Sequence, residues 1–187
     1  MMNTTLLRGE LVQLTAEDVE ERSNLHSVWG RDSEYKRLLD TDPVIMWSEK
    51  KIKEWLIKDS EKSEWNNAYF SIRTLEDNRL IGFIGLNDIL WNHGDAWVGI
   101  GIGDRDIWGK GYGTDAMRIL LRYAFMELNL YRLTLGVFSY NPRALRSYEK
   151  AGFVIEGCER QFLNRDGRRY DSYFMGILRS EWQTNLE

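Results

Sequence analysis

Apolar positions recur along this chain at helical and strand periods, in blocks separated by turn-forming clusters. Leu7 to Leu14 reads as a short strand, and Thr15 with Asp18 as a helix start whose acidic first turn suits the positive end of the helix dipole. That helix runs to about His26, which reads as a helix-surface histidine. Arg31 to Asp40 is a second helix, ended near Asp42-Pro43 because a proline ring disfavours helical geometry in the residue before it. Ser48 caps a third, with Ile52, Trp55 and Leu56 at helical spacing and Glu49 with Lys53 as an i,i+4 pair. Ala68 to Thr74 and Leu80 to Leu90 are β-rich runs joined as a hairpin by Glu76-Asp77-Asn78. Trp91 to Asp95 makes the next turn, and Ala96 to Gly103 is a further strand.

The widest apolar stripe lies in Thr114 to Leu128, where Met117, Leu120, Leu121, Ala124, Phe125 and Leu128 predict an amphipathic helix. Arg132 to Phe138 is a β-run, and Arg143 to Ala151 a short helix stopped at Gly152. Phe153 to Phe162 and Tyr170 to Leu178 are the last strands, joined by the hairpin turn Asn164-Arg165-Asp166-Gly167. The order of elements is mixed α/β.

At 187 residues the chain suits one domain, residues 1–187, and its 43% hydrophobic and 29% charged residues exclude disordered, collagenous and membrane classes. A net charge of −4 points away from nucleic acid and toward a neutral or cationic partner. Cys158 stands alone and His26 and His93 are isolated, so neither a disulfide nor a metal site is expected. Met1 to Glu10 has no apolar signal core and no apolar run approaches the ~18 residues of a membrane span, which makes the cytoplasm the expected compartment. Asn3-Thr4-Thr5 matches a glycosylation acceptor that has no meaning without secretion.

Three segments carry candidate chemistry. In Trp108-Gly109-Lys110-Gly111-Tyr112-Gly113-Thr114, glycines let successive N–H groups turn into one concavity at the start of the most amphipathic helix, which suits a diphosphate. Its spacing matches neither the P-loop nor the dinucleotide fingerprint. A plain strand-to-helix turn is the alternative. In Gly99-Ile100-Gly101-Ile102-Gly103, period-2 alternation puts the glycines on one face of a strand, which admits close approach of a backbone-like ligand arm, or else a bend or an aromatic ring packed over them. In Asn141 to Phe153, Asn141 is an N-cap, Pro142 opens a short helix, and Tyr148 reads as a core aromatic when taken alone.

In this order and spacing the segments resemble the GCN5-related N-acetyltransferase (GNAT) family, in particular its ribosomal-protein and spermidine acetyltransferase-like branch. The N-x-x-A-x-x-x-Y-x-K-x-G-F run from Asn141 to Phe153, together with the glycine loop, carries the resemblance. It implies a single-domain α/β fold whose mixed, mostly antiparallel sheet is flanked by helices and has splayed central strands. It also implies acetyl transfer from acetyl-CoA, without a metal, to a primary amine: a protein N-terminus, a polyamine or another small amine. Residue by residue, Trp108, Gly109, Lys110, Gly111, Tyr112, Gly113 and Thr114 match the diphosphate cradle. Gly101, Ile102 and Gly103 match the strand edge along the pantetheine arm. Asn141 matches a contact to that arm, and Tyr148 the acid that protonates the departing thiolate. Arg143 and Arg146 face either the phosphates or solvent.

Two positions depart from the family pattern. Trp108 stands where Arg or Gln is usual, and Trp97 where many relatives have a glutamate base. Asp88, His93 and Asp95 are near in sequence and serve either through water or as turn residues. Acidic groups of the helical first third, Glu17, Asp18, Glu20, Glu21, Asp32 and Glu34, either attract a cationic acceptor or form a solvated face. Trp29 and Trp47 line the acceptor cleft or the core. A catalytically silent acyl-CoA-binding module is the rival reading, and both monomer and homodimer are open.

Overall fold

The computed structural model describes residues 6–62 and 65–184, with the side chains of 59–62 left out. Asn3-Thr4-Thr5 and the first residues of the chain lie outside the described residues. The sheet has the order β1-β2-β3-β4-β5-β7-β6, formed by β1 (Val12–Thr15), β2 (Ala68–Thr74), β3 (Leu80–Leu90), β4 (Asp95–Ile102), β5 (Arg132–Phe138), β6 (Val154–Arg165) and β7 (Arg168–Leu178). All neighbours are antiparallel except β4 and β5. The helices are α1 (Val19–Trp29), α2 (Ser33–Leu39), α3 (Glu49–Lys62), α4 (Tyr112–Arg122), α5 (Pro142–Ala151) and α6 (Arg179–Thr184). Among the described residues, no helix is long and apolar enough to cross a membrane.

Local chemistry sets most boundaries. Asp18 and Asp32 accept backbone N–H bonds at the starts of α1 and α2, and Ser48 Oγ accepts from Lys51 N at the start of α3. The final hairpin turns on Asp166 and Gly167, both at positive φ, which a two-residue turn matched to strand twist requires. The core lies between the sheet and α4, where Met117, Leu120 and Leu121 pack on Ile84, Leu86, Leu133 and Leu135, all essentially inaccessible to solvent.

Four expectations need correction. The strand expected over Leu7 to Leu14 begins only at Val12, because the backbone before it turns onto the buried carboxylate of Asp115, which accepts from Glu10, Leu11 and Val12 N. The long helix stops being α-helical at Tyr123–Glu127, where a π-turn carries Leu128 N to Tyr123 O at 3.1 Å. Lys53 pairs with Glu20 of α1 rather than with Glu49, since the helices pack side by side and Glu49 meets Asn24. His26 is not on the surface: its ring lies 5.3 Å from that of Trp29 and 5.1 Å from that of Phe83. Burial, then the charges of Arg22 and Lys36, lower its pKa to about 3 and keep it neutral.

Candidate active site

The parallel pair β4–β5 closes only at Asp95 with Arg132, Ala96 with Leu133 and Trp97 with Thr134. Beyond Trp97, β4 stays bonded to β3 as far as Ile102 and β5 to β7 as far as Phe138, so the two central strands part and leave one edge of β4 free. Gly103 N donates across to Ile81 O of β3 at 3.0 Å. By the alternation of strand amides, Gly101 also turns toward β3, and the backbone groups at the free edge belong to Ile100 and Ile102. The indole of Trp108 donates to the Ile102 carbonyl at 2.8 Å, which takes one of those acceptors and fastens the glycine loop to the end of β4.

A cavity of about 260 Å³ opens along this edge. Of the residues expected to hold a cofactor, Gly101, Ile102, Trp108, Gly109, Gly111, Tyr112, Gly113, Thr114, Asn141, Arg146 and Tyr148 line it. Gly103 and Lys110 do not. Ile100, Tyr35, Arg143 and Ser147 line it as well; Tyr35 and Ser147 had no motif to mark them.

The loop presents donors in the way its glycines suggest. Gly109 and Gly111 sit at φ +77° and +95°, where a side chain would be strained, and a Cβ on Gly109 would meet nothing within 4 Å. Gly111 caps α4 without a side-chain bond. Asp115 N is the first helix amide to find an α4 acceptor, Gly111 O, so those of Tyr112, Gly113 and Thr114 have none within the helix. These amides and the helix dipole suit an anion, and Arg143, Arg146 and Lys150 add positive charge to the cavity wall despite the acidic chain. The guanidinium of Arg143 lies 3.6 Å from the centre of the Trp108 ring. Trp108 thus replaces a polar loop residue by a platform that positions a cation. The set suits a long ligand with a diphosphate at one end.

On the other wall, Asn141 caps α5 by accepting from Ala144 N at 3.2 Å, and Thr114 and Ser147 hydroxyls meet at 2.8 Å, joining α4 to α5. Tyr148, one turn beyond Ala144, packs on Phe153 with ring centres 6.3 Å apart. Burial pushes its phenol up to about 12, against the opposing effect of Arg143, so it keeps its proton near neutral pH.

The glycine face of β4 is not open to a ligand arm. A Cβ on Gly103 would lie 1.9 Å from the Trp29 ring, and one on Gly101 2.6 Å from Phe83. Aromatic packing is therefore what these two glycines admit, and Trp29 belongs to the core. Gly99 is different, with only Asn87 Nδ2 at 3.4 Å, and Gly136 on β5 has nothing within 4 Å. Trp97, the last β4 residue paired with β5, stands exposed at the vertex of the splay, edge-on to Phe174 at 6.0 Å. Asn87 bonds Tyr69 Oη. Asp95 begins β4, Asp88 sits at a bulge with φ +51°, and His93 lies on the turn beside Asn92. Trp47 lies outside the core, against Trp55 and Lys51.

The acidic groups of the helical first third are engaged by the protein itself. Glu17 pairs with Arg22, Glu20 with Lys53, Glu21 with Arg73, and both Asp32 and Glu34 with Arg105. Asp18 is a helix cap.

Residues 8–154 match the family model of the acetyltransferase (GNAT) domain. The chain is 32% identical to a probable N-acetyltransferase, YjcK, of Bacillus subtilis (strain 168), over 92% of this chain and 97% of that protein. It is 29% identical to an uncharacterized N-acetyltransferase, p20, of Bacillus licheniformis, over 94% and 97% respectively. Among solved structures it superposes on spermidine N-acetyltransferase from Vibrio cholerae in complex with CoA and spermine, with a TM-score of 0.80 and 25% identity over 92% of this chain and 98% of the other.

Proposed function

The chain belongs to the GNAT acetyltransferase family and is an acetyl-CoA-dependent N-acetyltransferase, and we propose that residues 1–187 act as one domain that acetylates a small primary amine by direct attack, with Tyr148 as the acid. The observation that carries this reading is the splay of β4 from β5, flanked on one side by the unbonded α4 amides and on the other by a phenol that holds its proton.

Acetyl-CoA supplies an acyl thioester in that gap. The amides of Gly109 and of Gly111 to Thr114, with the guanidiniums of Arg143 and Arg146, hold the diphosphate end. The Ile100 and Ile102 backbone edge, with Asn141 opposite, orients the arm. As the new C–N bond forms and the C–S bond breaks, the Tyr148 Oη proton goes to the sulfur, the surplus amine proton goes to water, and solvent returns a proton to the phenolate. Water is the receiver because Trp97 replaces a carboxylate at the vertex and the surrounding face is open at Gly99 and Gly136.

For the acceptor, exposed Trp97 and half-buried Phe174, paired at the vertex, support an amine that carries an aromatic or apolar group. The second reading is a polyamine, supported by the resemblance to a spermidine acetyltransferase. Against it stands the engagement of Glu17, Glu20, Glu21, Asp32 and Glu34 in internal ion pairs. Thiol release from acetyl-CoA, measured with arylalkylamines, spermidine and short N-terminal peptides, separates them. Arylalkylamines are expected to give the highest kcat/KM; an equal or higher value for spermidine sinks the aromatic reading.

A further inference from the structure

Tyr35 of α2 is the most deeply buried tyrosine of the cavity wall, with 5% of its surface exposed. Its hydroxyl has no hydrogen-bond partner among the described residues. A buried hydroxyl without a partner is destabilising, because it has given up its bonds to water and gained none. One way a fold retains such a group is that a molecule outside the folded chain completes the bond.

The position of this hydroxyl says where that partner lies. Tyr35 Oη stands 3.1 Å from the point a Cβ on Gly101 would occupy, so glycine leaves it room beside β4. Gly101 sits between Ile100 and Ile102, whose backbone groups face the free edge, and the Ile102 carbonyl is already taken by Trp108. The ring is fixed from behind by Trp29, 6.4 Å away, and α2 is held by the bonds of Asp32 and Glu34 to Arg105. Burial raises the phenol's pKa, outweighing Arg22, so the group is a donor and not an acceptor-only phenolate.

We propose that Tyr35 Oη donates a hydrogen bond to an oxygen of the pantetheine arm where it runs along the free edge of Ile100 and Ile102, beside Gly101, making α2 a second wall of the cosubstrate site. This rests on the acetyl-CoA-dependent reading above. The contact is to the arm and not to the acyl group, because Gly101 lies toward the loop end of β4 and four residues beyond the Trp97 vertex.

The test is Tyr35→Phe, which keeps the ring and removes the orphan oxygen. Without ligand the variant should melt higher than the wild type, by about 2 °C or more, since an unsatisfied group is gone. By calorimetry, acetyl-CoA and free CoA should both bind ~5- to 10-fold more weakly and by the same factor, a loss of one neutral hydrogen bond. The KM for acetyl-CoA should rise by a comparable factor. Unchanged affinity overturns the proposal, as does a lowered melting temperature, which would mean the hydroxyl is satisfied within the folded chain. A loss confined to acetyl-CoA also overturns it, by placing the contact at the acyl group. If the wild type bound neither ligand, the cosubstrate reading itself would fall; wild-type binding with an unaltered variant removes only Tyr35.

Discussion

The indole N–H of Trp108 donates to the main-chain carbonyl of Ile102 at 2.8 Å, tying the glycine loop to the end of the strand it follows. The same ring carries the Arg143 guanidinium on its face. One side chain therefore sets both the height of the amide cradle and the place of a cation beside it. Trp108→Phe keeps a ring for Arg143 but loses the bond. Stability should fall by about 1 kcal/mol and acetyl-CoA affinity by a few-fold, with kcat at saturation retained. Calorimetry and a melting curve on the same preparation check both; intact affinity would show that the loop holds its shape without this tie.

Tyr148 is expected to act on the chemical step and not on binding. Tyr148→Phe leaves the packing on Phe153 in place and should lower kcat by ~100-fold, within the usual range for loss of a positioned acid, while CoA affinity stays within about twofold. Since burial pushes the phenol up to about 12, the wild-type kcat should show no fall from loss of this proton between pH 7 and 10. A kcat that declines with a midpoint near 8 or 9, and does so only when Tyr148 is present, would contradict that environment.

Glycines of the two segments should separate by what they affect. Gly103→Ala drives a methyl into the Trp29 ring and should destabilise the fold by about 3 kcal/mol through overpacking. Gly109→Ala meets no atom, yet sits at φ +77°, which costs about 1 kcal/mol for an L-residue and puts a methyl beside the cradle. Its acetyl-CoA affinity should fall by more than its stability explains. Denaturant midpoints and binding isotherms for the pair decide this, and a reversed pattern would put the ligand on the Gly103 face after all.

The loop was legible in the residues themselves, whereas the splay came only from the resemblance to the family. Backbone chemistry that depends on glycine at positive φ leaves a direct mark, so the cradle from Gly109 to Thr114 stood out before any geometry was known. The meaning of Gly101 and Gly103 was not legible, because a missing side chain says that something is close without saying what. Trp29 and Phe83 come from elements remote in sequence, and only tertiary packing brings them there. Tyr35 and Asp115 escaped for a related reason: the first lacks a partner and the second holds the turn before β1, and neither condition has a local pattern. The engagement of the acidic residues was likewise invisible, since Arg73 and Arg105 reach Glu21 and Asp32 across the fold.

His26 gives the fold a pH dependence of predictable sign. Its folded pKa, about 3, lies below the ordinary 6.5, so as pH falls through 6.5 the unfolded chain takes up a proton that the folded chain refuses. Stability attributable to this residue is therefore complete above about pH 7 and declines below it, by up to about 1.4 kcal/mol per pH unit. His26→Leu keeps apolar contact with Trp29 and Phe83 and should remove that slope. Urea midpoints at pH 7.5, 6.5 and 5.5 test it, with equal slopes for both proteins as the outcome that fails.

Trp97 should govern the acceptor and leave the cosubstrate alone. It is the last residue to hold β4 against β5, it is exposed, and its ring meets Phe174 above open backbone at Gly99 and Gly136. An aromatic amine that stacks on this pair gains both apolar burial and an oriented ring contact, together worth about 1–3 kcal/mol. Trp97→Ala should accordingly raise KM for an arylalkylamine by ~10-fold or more while acetyl-CoA affinity is unchanged, because the cavity along Ile100 to Ile102 lies on the far side of the vertex. Spermidine turnover, read in the same assay, is the internal control. If both acceptors weaken alike, Trp97 holds the strands together and does not select the amine; if only the aromatic one weakens, the vertex is the acceptor site.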